Sequence, residues 1–366
     1  MARICLAGLV AVVATFGWTG AADAQVEPEF EWTAERPDAI APAGVTGDRT
    51  YDMGQLVFWY RFEGTRLDGL RTGTNPVAVS SVLNAFDVVP LRQTNSTQIA
   101  GVSFGFSDWL TLEGSIPFLV NKVQQVTTGD TLVKALTGFQ VDTDRYGFGD
   151  VRALAHVRLL ERGPYRAHIT GGVSVPTGSF YQTAVNPATL QKERAPYSMQ
   201  IGSGTFDGIG GATFTAQNDN TSTGIQAMGR FRPHWNELNY RLGHQLESSV
   251  WGAWRVSDWV SLSARIFVHW QGNPAGADAA LDATENPAAN PFLQGGTRVD
   301  LPLGLNIYFP EGALHGQRIA VEYNIPIHQD LDGPQLEQQW QLSIGLRWAT
   351  GMGNNGPEGP MEEPEG

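Results

Sequence analysis

The sequence predicts an all-β fold: a transmembrane antiparallel β-barrel of about 12 strands, set in an outer membrane. Three observations predict it. The chain opens on an export signal. Long segments alternate apolar and polar side chains with a period of two, and the connections between those segments alternate short and long.

The export signal comes first. Arg3 supplies a positive start, Ile4 to Trp18 an apolar stretch, and Ala22-Asp23-Ala24 the small residues of a cleavage site. This pattern predicts a signal peptide over 1–24, cut after Ala24. An uncleaved anchor helix is the alternative, but it needs about 20 apolar residues. The one cysteine, Cys5, falls inside the signal, so the exported chain has no disulfide and no thiolate metal site. No long apolar stretch follows Trp18, and mean hydropathy is slightly negative, −0.20. A periplasmic soluble protein and a barrel apolar on one face only both fit that composition. The net charge of −13 disfavours nucleic acid as a partner.

Alternation separates the two. Successive strand side chains point to opposite faces. From Arg298 to Phe309, Val299, Leu301, Leu303, Leu305, Ile307 and Phe309 share one face, with Arg298, Asp300 and Asn306 on the other. Arg318 to His328 and Gln339 to Trp348 repeat the pattern. These runs exceed the usual strand of about 5–6 residues and match the ~9–11 needed to cross a bilayer at a tilt. Twelve segments result: 54–63, 97–107, 109–120, 148–160, 165–176, 198–217, 221–232, 243–256, 258–270, 294–309, 317–328 and 337–348.

Connections follow. Ser107-Asp108, Glu161 to Pro164, Asn218 to Asn220, Ser257-Asp258 and Pro310 to Gln317 are short; 64–96, 121–147, 177–197, 233–242 and 271–293 are long, and 329–336 is of medium length. Tight periplasmic turns and longer external loops are the asymmetry of bacterial barrels. Phe106-Ser107-Asp108-Trp109 and Val256-Ser257-Asp258-Trp259 put an Asp in a tight turn and a Trp at the lipid–water boundary. Within loop 64–96, Val77 to Val89 reads as a short apolar helix, an inward constriction or a patch on the rim. Residues 25–50 are predicted to be a periplasmic lead-in, 51–348 the barrel, and 349–366 an acidic disordered tail.

Charges in a barrel must face the lumen, because arginine toward lipid costs about 2–4 kcal/mol at the midplane. The polar face then gathers Arg61, Arg152, Arg158, Arg166, Arg230, Arg232, Arg255, Arg265, Arg298, Arg318 and Arg347, against Glu63, Glu113, Glu247, Asp300 and Glu322. The predicted lumen-lining set is Arg61, Glu113, Arg152, Arg158, Arg166, Arg230, Arg232, Glu247, Arg255, Arg265, Arg298, Glu322 and Arg347. It supports two readings: a pore for anionic or polar aromatic solutes, or a ladder of salt bridges that fills the interior.

Enzyme chemistry finds little footing. No histidine is followed two residues later by serine; His168 and Thr170 have that spacing, but both turn inward. The histidines stand singly, without ligand spacing on one strand, so no metal and no cofactor is expected. Gly147-Phe148-Gly149-Asp150 does not join a strand to a helix and is no phosphate loop.

Several stretches resemble a family of outer-membrane transporters related to the MetA pathway of phenol degradation. They are Gly147-Phe148-Gly149-Asp150-Val151, Val173-Ser174-Val175-Pro176-Thr177-Gly178-Ser179 and Ile201-Gly202-Ser203-Gly204-Thr205-Phe206-Asp207. Ala41 to Asp48, with Tyr60-Arg61-Phe62 and Asp68-Gly69, looks like a subgroup of such barrels. The resemblance covers most of 41–348 and implies a transporter barrel for hydrophobic or aromatic compounds; it carries over no functional residue. The expected partners are outer-membrane lipid, a small solute and the barrel-insertion machinery. A non-conducting structural or surface-interaction barrel is the alternative.

Overall fold

A computed structural model describes residues 30–127 and 140–350. The signal peptide, its cleavage site and residues 351–366 of the predicted tail lie outside the described residues. Eleven elements close a ring by antiparallel pairing. In spatial order they are β1 (Leu56–Gly73), β3 (Val88–Ser107), β4 (Leu110–Thr127), β6 (Val151–Arg162), β7 (Tyr165–Val175), β10 (Asp207–Gln217), β11 (Thr221–Phe231), β13 (Gln245–Arg255), β14 (Val260–Gln271), β16 (Gly296–Tyr308) and β17 (Arg318–Thr350), which returns to β1. β17 is a hairpin. Its first part pairs with β16 and its second with β1, and Leu331 ends both ladders. The nine antiparallel steps from β16 round to β1 make those two strands opposite in direction. An element antiparallel to both must therefore reverse, as it does at Asp332-Gly333-Pro334, giving twelve passes through the wall.

The five short connections share one end of the ring, the end predicted to be periplasmic. At the other end, loop 74–87 carries β2 (Asn75–Val77) and α1 (Val79–Leu83), loop 176–206 carries β8 (Thr183–Val185) and β9 (Lys192–Arg194), and β12 (Tyr240–Arg241) pairs with β15 (Ala275–Gly276). Among the described residues no helix is long and apolar enough to cross a membrane. Large apolar side chains cover the outside of the ring: Phe58, Phe104, Leu112, Ile169, Ile225, Val250, Leu262 and Leu303 are all exposed. Trp109, Tyr165, Trp254, Trp259 and Trp348 form an exposed aromatic girdle toward the short connections. Serine, threonine, histidine and charged residues face inward, where Ser103, Thr111, His156, Ser174, Ser261, Glu322 and Ser343 are buried.

The structure corrects several boundaries. β1 runs on to Gly73 and β3 begins at Val88, so the predicted loop 64–96 shrinks to 74–87. β4 continues to Thr127 and β5 (Gln140–Phe148) pairs with it, which removes most of the predicted loop 121–147. These extensions carry no continuous apolar face, since Leu70, Val89 and Val126 pack instead with Val82 of α1 in a small cluster of their own, so an apolar-face criterion misses them. Residues 198–206, expected in a strand, are irregular: Gly202 packs backbone to backbone on Gly178, and Gly204 has φ +70°. Ala349 and Thr350, assigned to the tail, pair with Val57 and Leu56.

The largest correction concerns the predicted periplasmic lead-in 25–50. Residues 30–35 lie at the short-connection end, where Trp32 N donates to Gly163 O (3.2 Å). From Arg36 the chain enters the barrel, and Arg36, Asp38, Ala39, Ile40, Ala41, Ala43, Val45 and Asp48 are buried there. It leaves again at Tyr51, which pairs by backbone with the Thr111 hydroxyl. Residues 36–50 have no periodicity because they meet several strands in turn, and their backbone finds its polar partners partly in the wall and partly within the segment, as where Ala41 N donates to Asp48 Oδ2 (3.1 Å).

Candidate functional site

The interior has two storeys. In the lower one the luminal segment 36–50 is bonded to the wall by residues of the predicted lining set. Arg61 Nη1 donates to Thr46 Oγ1 (2.7 Å). Arg158 Nε donates to Thr50 Oγ1 (2.9 Å) and its Nη2 to Asp52 Oδ1 (2.8 Å). Arg347 Nη2 donates to Asp48 Oδ1 (2.6 Å). Arg166 lies over the Trp32 ring, 5.6 Å from its centre. Arg318 Nη1, also on the polar face, donates to the carbonyl of Arg36 (2.7 Å). Burial opposes ionisation of Asp48, yet Arg347 and then Arg49 outweigh it and hold the carboxyl well below the usual carboxylate range.

Two glycines of the segment let its backbone approach the wall. Gly44 crosses the buried Arg265–Glu322 ion pair, where a Cβ would stand 2.5 Å from Arg265 Nη2 and 2.8 Å from Glu322 Oε1. Gly47 has φ +58°, and a Cβ there would stand 2.6 Å from His156 Cε1. The Gly47 carbonyl lies 2.9 Å from His168 Nε2. A carbonyl only accepts, so that nitrogen carries the proton. Gln226 Nε2 donates to Thr46 O (2.9 Å). A cavity of about 40 Å³ remains between the segment, β1 and β17, lined by Asp48, Tyr51, Trp59, Arg61, Glu113 and Arg347 among others. That is room for a few waters and no more.

His156 Nδ1 meets Thr170 Oγ1 at 2.9 Å, with Glu113 3.7 Å from its other nitrogen. Hydroxyl, imidazole and carboxylate in that order resemble a nucleophilic relay. His156 is 0 % exposed beneath Gly47, however, and a substrate has no access to it. Glu113 instead accepts from Ser103 Oγ (2.9 Å). Among the described residues no three His, Cys, Asp or Glu side chains are grouped to hold a metal ion.

The upper storey holds Arg152, Arg230, Arg232, Glu247 and Arg298. Arg232 Nε pairs with Asp207 (3.0 Å), Glu247 with His269 (3.4 Å), and Arg298 with Asp300 (3.0 Å). Arg152 and Arg230 have no ion pair among the described residues. Arg255, at the short-connection end of β13, is half-buried and forms no side-chain bond among them.

The three glycine motifs converge at the rim of this storey. Gly149-Asp150 interrupts the descending strand between β5 and β6. Asp150 accepts from Gly178 N (3.0 Å), Ser203 N (2.9 Å) and Ser203 Oγ (2.7 Å). Thr205 Oγ1 donates to Asp207 (2.7 Å). Sequence reasoning quoted these motifs and missed their meeting, since 53 residues separate Asp150 from Ser203. Asp48, Gly44 and Gly47 also lay outside the predicted lining set, although the run Ala41 to Asp48 carried part of the family resemblance.

No family model and no curated protein matches the chain. Solved structures do. The COG4313 outer membrane channel from Pseudomonas putida F1 superposes with a TM-score of 0.54 at 13% identity, covering 84% of this chain and 99% of that one. A toluene transporter of Ralstonia pickettii, TbuX, gives a TM-score of 0.41 at 10% identity over 86% of this chain and 92% of its own. A Pseudomonas aeruginosa FadL homologue gives 0.40 at 11% identity, over 86% and 92%. At these identities the first likeness establishes architecture: the chain has the fold of an outer-membrane β-barrel.

Proposed function

We propose that the protein is an outer-membrane channel that carries small solutes, aromatic or anionic ones among them, across the lipid in which its apolar girdle sits. The observation that carries this reading is the sorting of side chains: lipid-compatible residues outside, and inside a polar wall whose upper storey keeps two guanidinium groups out of ion-pair contact with any carboxylate among the described residues. Charge is costly in a membrane and marks solute paths by default. The named neighbours, an outer membrane channel and a toluene transporter, add support, as does the sequence resemblance to transporters linked to phenol degradation. Residues 36–50 stand in the lower half of the path, so passage requires them to shift. Insertion would rest on the barrel-assembly machinery acting on the signal-cleaved chain.

A non-conducting structural barrel is the second reading, favoured by the bonds that seal the luminal segment into the wall. Liposome swelling with benzoate, phenol and a neutral sugar, beside planar-bilayer recording, separates the two. Uptake of any of these above protein-free liposomes supports the channel. No swelling and no conductance, with and without residues 25–50, ends it.

A further inference from the structure

We propose that Arg152 and Arg230 form a luminal binding site for a small carboxylate, held between two guanidinium groups above the luminal segment. The inference rests on the transport reading for its purpose, and on the wall itself for its chemistry.

The register sets the site. Arg152 on β6 pairs with Ser174 on β7, which pairs with Asp207 on β10, and these inward side chains form one row. Arg232 closes the row by its ion pair with Asp207. Arg230, two residues nearer the short-connection end, faces inward beside it and is paired across the backbone with Ile209 and Gln245. So the row holds one satisfied pair, Asp207–Arg232, and one further arginine, Arg152, with Arg230 facing inward one step below it.

Neither of those arginines makes a side-chain hydrogen bond or ion pair among the described residues. Arg152 Nε is screened from solvent and makes no hydrogen bond. Arg230 and Arg61 act on Arg152 with like charge, and Glu247 and Glu63 with opposite charge. Glu63 pairs with Arg61 (3.0 Å), and Glu247 lies 3.4 Å from His269 Nδ1 while its charge also acts on both arginines without an ion-pair contact to either. Neither arginine bonds to segment 36–50, which separates them from the arginines that hold it.

Two like charges in a low-dielectric interior repel, and each guanidinium needs acceptors for its donors. A carboxylate answers both needs. Its two oxygens match the planar fork of a guanidinium in paired, charge-assisted hydrogen bonds. A neutral phenol offers one oxygen and no charge. Phosphate shares the charge and is the competing oxyanion.

Titration calorimetry on the full chain in detergent tests the site, with sodium benzoate, phenol and inorganic phosphate in low-chloride buffer. The expected result is saturable benzoate binding, at least tenfold weaker in Arg152→Gln and in Arg230→Gln and unchanged in Arg71→Gln, an arginine near the loop end of β1 paired with Glu337. Folding is checked by the heat-dependent shift of the barrel on a gel. If a glutamine variant fails that check, Arg152→Lys or Arg230→Lys is read instead; it keeps the charge, loses the fork and is expected to weaken binding severalfold. No benzoate binding, equal binding of phenol, preference for phosphate, or affinity indifferent to both arginines overturns the proposal. Binding by a barrel that never conducts keeps the site and ends the transport reading; conduction without binding does the reverse.

Discussion

Gly47 and His168, 121 residues apart in the chain, meet inside the barrel: the carbonyl of the first lies 2.9 Å from Nε2 of the second. The contact exists because Gly47 adopts φ +58° and has no Cβ, which would otherwise collide with His156. Positive φ and close approach to the wall coincide at this point of the luminal segment.

Gly47→Val is therefore expected to loosen the segment while leaving the wall intact. A branched residue in the left-handed region costs about 1–3 kcal/mol, roughly a tenfold larger released population or more. Trypsin reads it. Arg36 precedes proline and resists cleavage, but the Arg49–Thr50 bond is cleavable once the segment leaves the lumen. The native chain should be cut slowly there and the variant at least tenfold faster. Equal rates would show that Gly47 is not what seats the segment.

The Asp48–Arg347 pair makes that seating depend on acid. Asp48 has a depressed carboxyl when seated, and a released segment returns it toward its ordinary 3.8. A depressed value stabilises the seated state fully above the ordinary value, and that stabilisation is lost as pH falls below it. Accessibility of the segment should thus rise below about pH 4. Trypsin is inactive there, so pepsin cleavage within 30–50 is the measurement. Asp48→Asn should remove the acid-dependent step and leave the segment loose at neutral pH.

Beneath Gly44, Arg265 and Glu322 form a buried pair, and Arg265 Nη1 also donates to Ser249 Oγ (2.9 Å). Removing one buried charge strands the other, at about 3–5 kcal/mol. Glu322→Gln should lower the temperature of the gel shift markedly, whereas Arg265→Met with Glu322→Leu should restore most of it. A single variant as stable as the double would mean that water already reaches the pair.

The wall was legible in the sequence because lipid imposes one rule on every spanning strand: apolar out, polar in. Val299 to Phe309 obeys it, and so do the residues that place Arg152, Arg230 and Glu322 inside. The rule lapses above the lipid, where Arg92 to Ser96 are polar on both faces and Thr65 to Thr72 hold only Leu67 and Leu70 as apolar side chains, yet both stretches remain paired. It says nothing of Ala41 to Asp48, whose partners are drawn from β1, β7, β11, β14 and β17 and leave no period to detect. The lining arginines were therefore found as a set, but their division was not. Arg61, Arg158 and Arg347 bond the segment, whereas Arg152 and Arg230 stand above it.

Asp150 offers the last test, because its carboxylate joins the three glycine motifs. Both oxygens accept: Oδ1 from Gly178 N, Oδ2 from Ser203 N and Oγ. Asp150→Asn turns one oxygen into an NH₂ group facing a backbone N–H, so a donor meets a donor and a buried group loses its partner. The loss is about 1–3 kcal/mol. It falls on the loop rather than the wall, since β6, β7 and β10 keep their ladders. Loop 176–206 carries the β8–β9 hairpin, whose Arg194 pairs with Asp278 (3.1 Å) in the loop after β14. With the Asp150 bonds gone, cleavage at Lys192 and Arg194 should quicken severalfold while the gel-shift temperature barely changes. A fall in that temperature without faster cleavage would place the Asp150 cluster in the barrel wall and not in the covering of its mouth.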